Sequence, residues 1–243
     1  MIGDVNFSKG MKMAESNLEI LACEQTSLGM LYLRRRKPLH DPTIAVTEIT
    51  LNHEFLMSSY YTDSERALSK IAIDMHGGNN LNILVGGLGL GYTAYEALKS
   101  KQVQFVEVVE FLPQVISWMN EGLVPLSKEL VLDKRLSIVE GDIYGQLAGS
   151  QTNKFDVILI DVDHSPDERL DTKCGQFYTR QGLEAASKHL KEDGVLAVWS
   201  YAQNSHFADA LRNVFTEVRV EPISFKNKFL NNEEHTDWLF FAR

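Results

Sequence analysis

Only two cysteines, Cys23 and Cys174, occur in 243 residues, far apart and outside any CxxC spacing. They read as two reduced thiols in a cytoplasmic protein rather than as a disulfide or a metal clasp. No run of eighteen apolar residues is present, so no membrane span is expected. Nor does "MIGDVNFSKGMKMAESN" have the basic-then-apolar build of a secretory signal. Basic residues are short too, with 24 Lys and Arg against 33 Asp and Glu, a formal charge of −9. That balance excludes the broad basic surface needed for nucleic acid or an anionic membrane, and it suits a neutral or cationic small substrate. Internal repeats, low-complexity segments and His/Cys/Asp clusters with metal-ligand spacing are all missing. What remains is an ordinary globular composition, 44% hydrophobic and 23% charged, enough for one large domain or a main domain with a small appendage.

Residues 1–17 read as a polar tail. After them "NLEILACEQ", "LGMLYLRRRK" and "TIAVTEITLN" read as short strands, a small β-rich element over residues 18–52. Residues 53–80 read as a helical connection. Within it "SERALSKIAIDM" has helical apolar spacing behind a Ser/Asp cap signal, and "HGGNN" ends it. From Leu81 to the C-terminus strands and helices alternate. "NILVGG", "VQFVEVVE", "LSIVEGD", "FDVILIDVD" and "GVLAVWSY" are apolar strands. Helices are expected from Thr93 to Lys101, over "LPQVISWMN", over the long "QFYTRQGLEAASKHLKEDG" with an Asp-Gly turn at its end, and from Phe207 to Val214. Strands buried on both faces and alternating with helices predict a parallel sheet. "EVRVEPISF" and "TDWLFFAR" follow with only a loop between them and must pair antiparallel. The fold expected for residues 81–243 is α/β: a Rossmann-like, doubly wound, mostly parallel seven-stranded sheet of methyltransferase type.

In such a sheet a ligand sits beyond the carboxyl ends of the strands, beside the first of them. Four features fall there. Gly87, Gly89 and Gly91 form G-x-G-x-G, which lets backbone close on a ligand. Glu110 ends the second strand, where it can accept both ribose hydroxyls. Asp142 follows the third, within reach of an adenine amino group, and Asp161 ends the fourth, where the reacting group would lie. Each has a plainer reading: a tight turn for the glycines, a solvated strand end for Glu110, a helix cap for Asp142 or Asp161. Together, with every acid at a strand's carboxyl end, they point to a nucleoside pocket. Gly89 to Ala94 also fits the dinucleotide pattern G-x-G-x-x-A, with Glu110 near the expected acid. That reading leaves Asp142, Asp161 and the C-terminal hairpin unexplained.

The pieces "EQTSLGMLYL", "ILVGGLGLG", "VEVVEFLPQVI", "IVEGDIYGQL", "FDVILIDVDHSP" and "FYTRQGLEAASKHLKEDGVLAVWS" resemble the spermidine synthase (polyamine aminopropyltransferase) family in order and spacing. The resemblance implies that Gly87, Gly89, Gly91, Glu110 and Asp142 bind the donor nucleoside. It implies that Asp161 positions or deprotonates the attacking amine, and that the N-terminal strands join a homodimer contact. Three departures stand beside it. The loop aspartate that holds the amino group of decarboxylated S-adenosylmethionine falls on Leu90. Ser64-Glu65-Arg66 occupies the region of the Tyr-His/Gln-Glu acceptor motif. His164 replaces the second acid of the Asp-Ser-Ser-Asp-Pro motif. An uncharged Leu90 removes both a partner for the aminopropyl ammonium and a repulsion against the carboxylate of intact S-adenosylmethionine.

A sulfonium donor is already activated, so the protein must align the reactants, exclude water and take a proton. Asp161 is the first candidate base, with Asp163 and His164 on the same loop; His164 can equally be a locally bonded loop residue. Trp199 and Tyr201 wall the acceptor or pack on the sheet edge. His206 and His235 read as structural or solvated. Arg34-Arg35-Arg36-Lys37 reads as a charged strand end, the other reading being a grip on an anionic substrate or a partner subunit. The expected function is transfer from S-adenosylmethionine to a small amine or hydroxyl acceptor, methyl transfer from the intact donor first. Aminopropyl transfer from the decarboxylated donor to a polyamine is the alternative, and a non-catalytic nucleoside-binding protein the third reading.

Overall fold

The computed structural model describes the chain apart from residues 1–16, 39–40, 151–152, 163–171 and 229–231, so Asp163 and His164 lie outside the described residues. Four antiparallel strands come first, β1 (Leu18–Thr26), β2 (Gly29–Arg36), β3 (Val46–Leu51) and β4 (Glu54–Ser58), adjacent in that order. The strand β4 falls where a helical connection was expected. Asn52 and His53 both take positive φ (51° and 70°) and fold β4 back on β3 without a glycine to announce the turn.

Helix α1 (Asp63–His76) ends on Gly77 at φ 71°, whose N–H reaches Ile73 O. Its start differs from expectation. Thr62 is the N-cap and makes no side-chain bond there, while Ser64 turns inward and is buried. The chain continues through β5 (Leu81–Gly86), α2 (Tyr92–Lys99), β6 (Val103–Glu110), α3 (Pro113–Asn120), α4 (Ser127–Leu132), β7 (Leu136–Glu140), α5 (Ile143–Ala148) and β8 (Phe155–Ile160). After it come α6 (Thr172–Phe177), α7 (Arg180–Ser187), β9 (Leu190–Ser200), α8 (Ser205–Arg212), β10 (Val218–Asn227) and β11 (Glu233–Ala242). The long expected helix is thus two, because the Thr179 hydroxyl accepts from Gly182 N and starts α7 afresh. Its Asp-Gly end belongs to β9: Phe155 pairs with Leu190 but Val157 with Val195, so Lys191–Gly194 bulge out of register.

The large sheet runs β10-β11-β9-β8-β5-β6-β7, with β5 to β9 parallel and β10–β11 an antiparallel hairpin at one edge. From β5 the chain winds outward to β7, then returns to β8 on the other side of β5, so the switch point lies between β5 and β8. Alternate residues feed two cores. Ile83, Val85, Val157, Leu159, Ala197 and Phe241 face one side, Leu84, Ile158, Ile160, Val198 and Phe240 the other. The first core also takes Leu31, Leu33 and Ile49 from the N-terminal sheet, and that shared core sets β4 beside the switch point. No helix among the described residues is long and apolar enough to cross a membrane.

Candidate functional site

The glycine loop after β5 is shaped by its neighbours. Gly87 stands at φ +96°, and a Cβ there would lie 2.1 Å from the Asp161 carbonyl oxygen. Only glycine lets β5 and β8 end this close, with Asp161 N donating to Gly86 O at 2.8 Å. Gly89 abuts Met57 of β4, where a Cβ would meet the thioether at 2.5 Å. Gly91 is the N-cap of α2. Leu90 does not face a ligand: it is 2% exposed and its side chain packs in the first core. The loop therefore presents backbone rather than a side chain at Leu90, and no carboxylate stands at that position.

Glu110 is 8% exposed and clasps the loop, accepting from Leu88 N and Leu112 N at 2.8 Å each. Burial pushes its carboxyl up, against the backbone amides that hold its charged form. Asp142 caps α5, accepting from Tyr144 N at 3.0 Å and Gly145 N at 3.1 Å. The plainer reading of Asp142, a helix cap, thus operates.

A cavity of about 630 Å³ opens at the carboxyl ends of β8 and β9. Asp161, Trp199 and Tyr201 all line it. Ser64 and Glu65 from α1 join them, with Asp237 and His235 from β11, so His235 is a lining residue and not merely a structural one. Exposed His206 lies elsewhere. Tyr61 stacks on Phe225 with centroids 4.7 Å apart and Phe225 on His235 at 6.0 Å, an aromatic row lining the same cavity as the acids. The N-terminal sheet closes the far end with Phe55, Met57, Glu48 and Arg36. Fully buried Glu48 accepts from Arg34 Nε at 2.9 Å and Arg36 Nε at 2.5 Å, while Arg35 turns to Glu19 at 3.6 Å. Alternation thus splits the basic run between two faces.

The acids sit deep. Asp161 accepts from the Thr93 hydroxyl, and burial pushes its carboxyl up to about 6, with the Asp237 charge adding to the shift. Burial and then the Asp161 charge push Glu65 up to about 8. Asp237 is raised by burial against hydrogen bonds from Ser64 and Trp199. Ser64 and Thr93 link these groups to α1 and α2, which pack against each other beside β8. Among the described residues, no three His, Cys, Asp or Glu side chains come close enough to hold a metal ion. Acids and aromatic rings lining one cavity are groups able to attract an alkylammonium, by charge and by the ring quadrupoles.

This sheet order, with its site at the β5/β8 switch point, is the Rossmann-like fold of S-adenosylmethionine-type transferases. Residues 63–219 match the model of the spermine/spermidine synthase domain, and the chain belongs to that family. The spermidine synthase of Thermotoga maritima superposes with a TM-score of 0.70 at 19% identity, over 92% of this chain and 72% of that one. A polyamine aminopropyltransferase of Oceanobacillus iheyensis is 29% identical over 48% of this chain and 22% of its own length. Putrescine N-methyltransferase 2 of Nicotiana attenuata is 25% identical over 49% of this chain and 30% of its own. The match thus spans less than a third of either curated relative's length.

Proposed function

We propose that the protein transfers an aminopropyl group from decarboxylated S-adenosylmethionine to an amine of a cationic, polyamine-class acceptor. The observation that carries this reading is the cavity that Asp161, Glu65 and Asp237 line together with Tyr61, Phe225 and Trp199, with Asp161 against the glycine loop. The donor residues are the Gly87–Gly91 backbone, Glu110 and Asp142, whose carboxylates already lie at the loop and the β7 end. The donor supplies a carbon activated by its sulfonium. Asp161 takes a proton from the acceptor ammonium, which frees the nitrogen lone pair to displace the thioether. Trp199 and Tyr201 hold the acceptor chain and keep water out.

Methyl transfer from intact S-adenosylmethionine is the second reading, and one observation favours it: the loop presents no carboxylate for an aminopropyl ammonium. One assay separates the two. Each donor is incubated with diamines of increasing length. Methylthioadenosine marks aminopropyl transfer and S-adenosylhomocysteine marks methyl transfer. Donor binding with neither product would leave the non-catalytic reading. On the family likeness the N-terminal sheet also mediates a homodimer, which light scattering on the purified chain tests.

A further inference from the structure

The hydroxyl of Ser64 has three polar neighbours: Asp237 Oδ2 at 2.7 Å, Trp199 Nε1 at 3.1 Å and Glu65 Oε2 at 3.2 Å. A hydroxyl has one hydrogen to give and two lone pairs to offer. The indole N–H, which Ser64 shares with Asp237, points at one lone pair, and the shorter contact to Asp237 takes the hydrogen. That one hydrogen cannot serve two carboxylates at once: while it goes to Asp237, the 3.2 Å contact to Glu65 is bridged when Glu65 carries a proton and donates it to the second lone pair. The rest of its surroundings agree. Burial, then the charge of Asp161 of β8 and last that of Asp237 of β11, push its carboxyl up to about 8 against hydrogen bonds from its own backbone and Ser64. Thr93 and Tyr92 of α2 are neutral neighbours. Arg66, next in α1, pairs with Glu96 at 3.0 Å and lies over the Tyr92 ring, while His235 acts on Asp237. Among the described residues no Lys or Arg forms an ion pair with Glu65, Asp161 or Asp237.

We propose that Glu65 is a proton-coupled receptor for the acceptor's ammonium group: it holds a proton while no cation is beside it and gives that proton to solvent when an alkylammonium docks against Asp161 and Asp237. This rests on the acceptor cavity of the proposed function. The O–H bond of Glu65 breaks, the proton leaves to water, and the new carboxylate faces the cation. A neutral Glu65 spares the site a third buried charge until the ligand brings the compensating one. The substrate class follows. The site selects a charged amine over a neutral alcohol of the same length.

The test is calorimetry of the full chain with 1,4-diaminobutane in buffers of different ionisation enthalpy. Near pH 7.5 the wild type should release about one proton per diamine bound. Glu65→Gln should lose most of that release, while Glu129→Gln, an exposed acid on α4 outside the cavity, should keep it. Equal release from Glu65→Gln, or binding by the wild type with none, overturns the proposal. If Glu65→Gln does not fold, infrared difference spectra of the wild type decide. Diamine addition should remove a protonated-carboxyl band, and no such loss overturns it. Neither readout needs turnover. A chain that binds diamine with proton release but forms no product fails the transfer reading alone, whereas one that binds no diamine overturns this inference.

Discussion

Asp161 and Glu65 face one cavity, yet their surroundings push their protonation apart, the usual arrangement when one carboxyl must accept a proton and another must keep it. Asp161 is mostly ionised near neutrality and bonded by Thr93, so it is the group able to take a proton. Asp161→Asn should therefore lower product formation by about 10²–10⁴-fold while leaving donor affinity in place, read by product chromatography and donor calorimetry. Donor affinity falling in step with turnover would place Asp161 in the donor site instead. Gly87 makes a second residue-scale prediction. A Cβ at φ +96° would press on the Asp161 carbonyl, which is backbone and cannot swing away. Gly87→Ala should cost about 2–4 kcal/mol in urea unfolding. Neither Glu65 nor Asp237 was expected at the site, because one lies inside a helix and the other inside the last strand, away from the carboxyl ends of the parallel strands. Both leave a trace, though. Glu65 is in helical phase with Leu68 and Ala72, and Asp237 alternates in phase with Leu239 and Phe241, so each is an acid on a core-facing stripe.

At the scale of elements, the alternation of strands and helices made the large sheet and its C-terminal hairpin legible, since periods of two and of three to four survive in any context. What stayed hidden depended on single residues in unusual backbone: the Asn52-His53 turn before β4, the Thr179 break between α6 and α7, and the bulge inside β9. The basic run on β2 shows the same limit. Its partner Glu48 lies across the ladder, and register is not visible in composition. Glu48→Gln would leave the guanidiniums of Arg34 and Arg36 facing each other without their shared carboxylate. Both arginines are about a third exposed, so water softens the loss. We expect about 1–3 kcal/mol, measured by thermal unfolding, and a smaller change at high salt. An effect under half of this range would mean that the pair is already solvated.

Taken whole, the molecule places β1 to β4 outside residues 63–219 of the family match, yet β3 and β4 still supply one end of the cavity. The cavity's acids then set how the entire fold responds to pH. Glu65 is raised to about 8, Asp161 to about 6, and Asp237 also lies above its ordinary value, as does Glu110 at the glycine loop outside the cavity. A carboxyl raised in the folded state binds its proton more tightly there than in the unfolded chain. Its stabilisation is therefore complete below about pH 4 and is lost as pH climbs through the folded value. Glu96 and Asp133, lowered by burial-opposed bonds to basic neighbours, work in the other direction, but only near pH 4 and below. The melting temperature should thus fall between pH 5 and pH 9. Glu65→Gln should flatten the part above pH 7, since it removes the group that titrates last. Adding 1,4-diaminobutane should raise the melting temperature more at pH 8.5 than at pH 5.5, because the cation offsets the charges that destabilise the fold there. A melting temperature that rises across this window, or a Glu65→Gln curve parallel to wild type, would show that the buried acids are neutralised by some other group, and that their protonation does not govern the site.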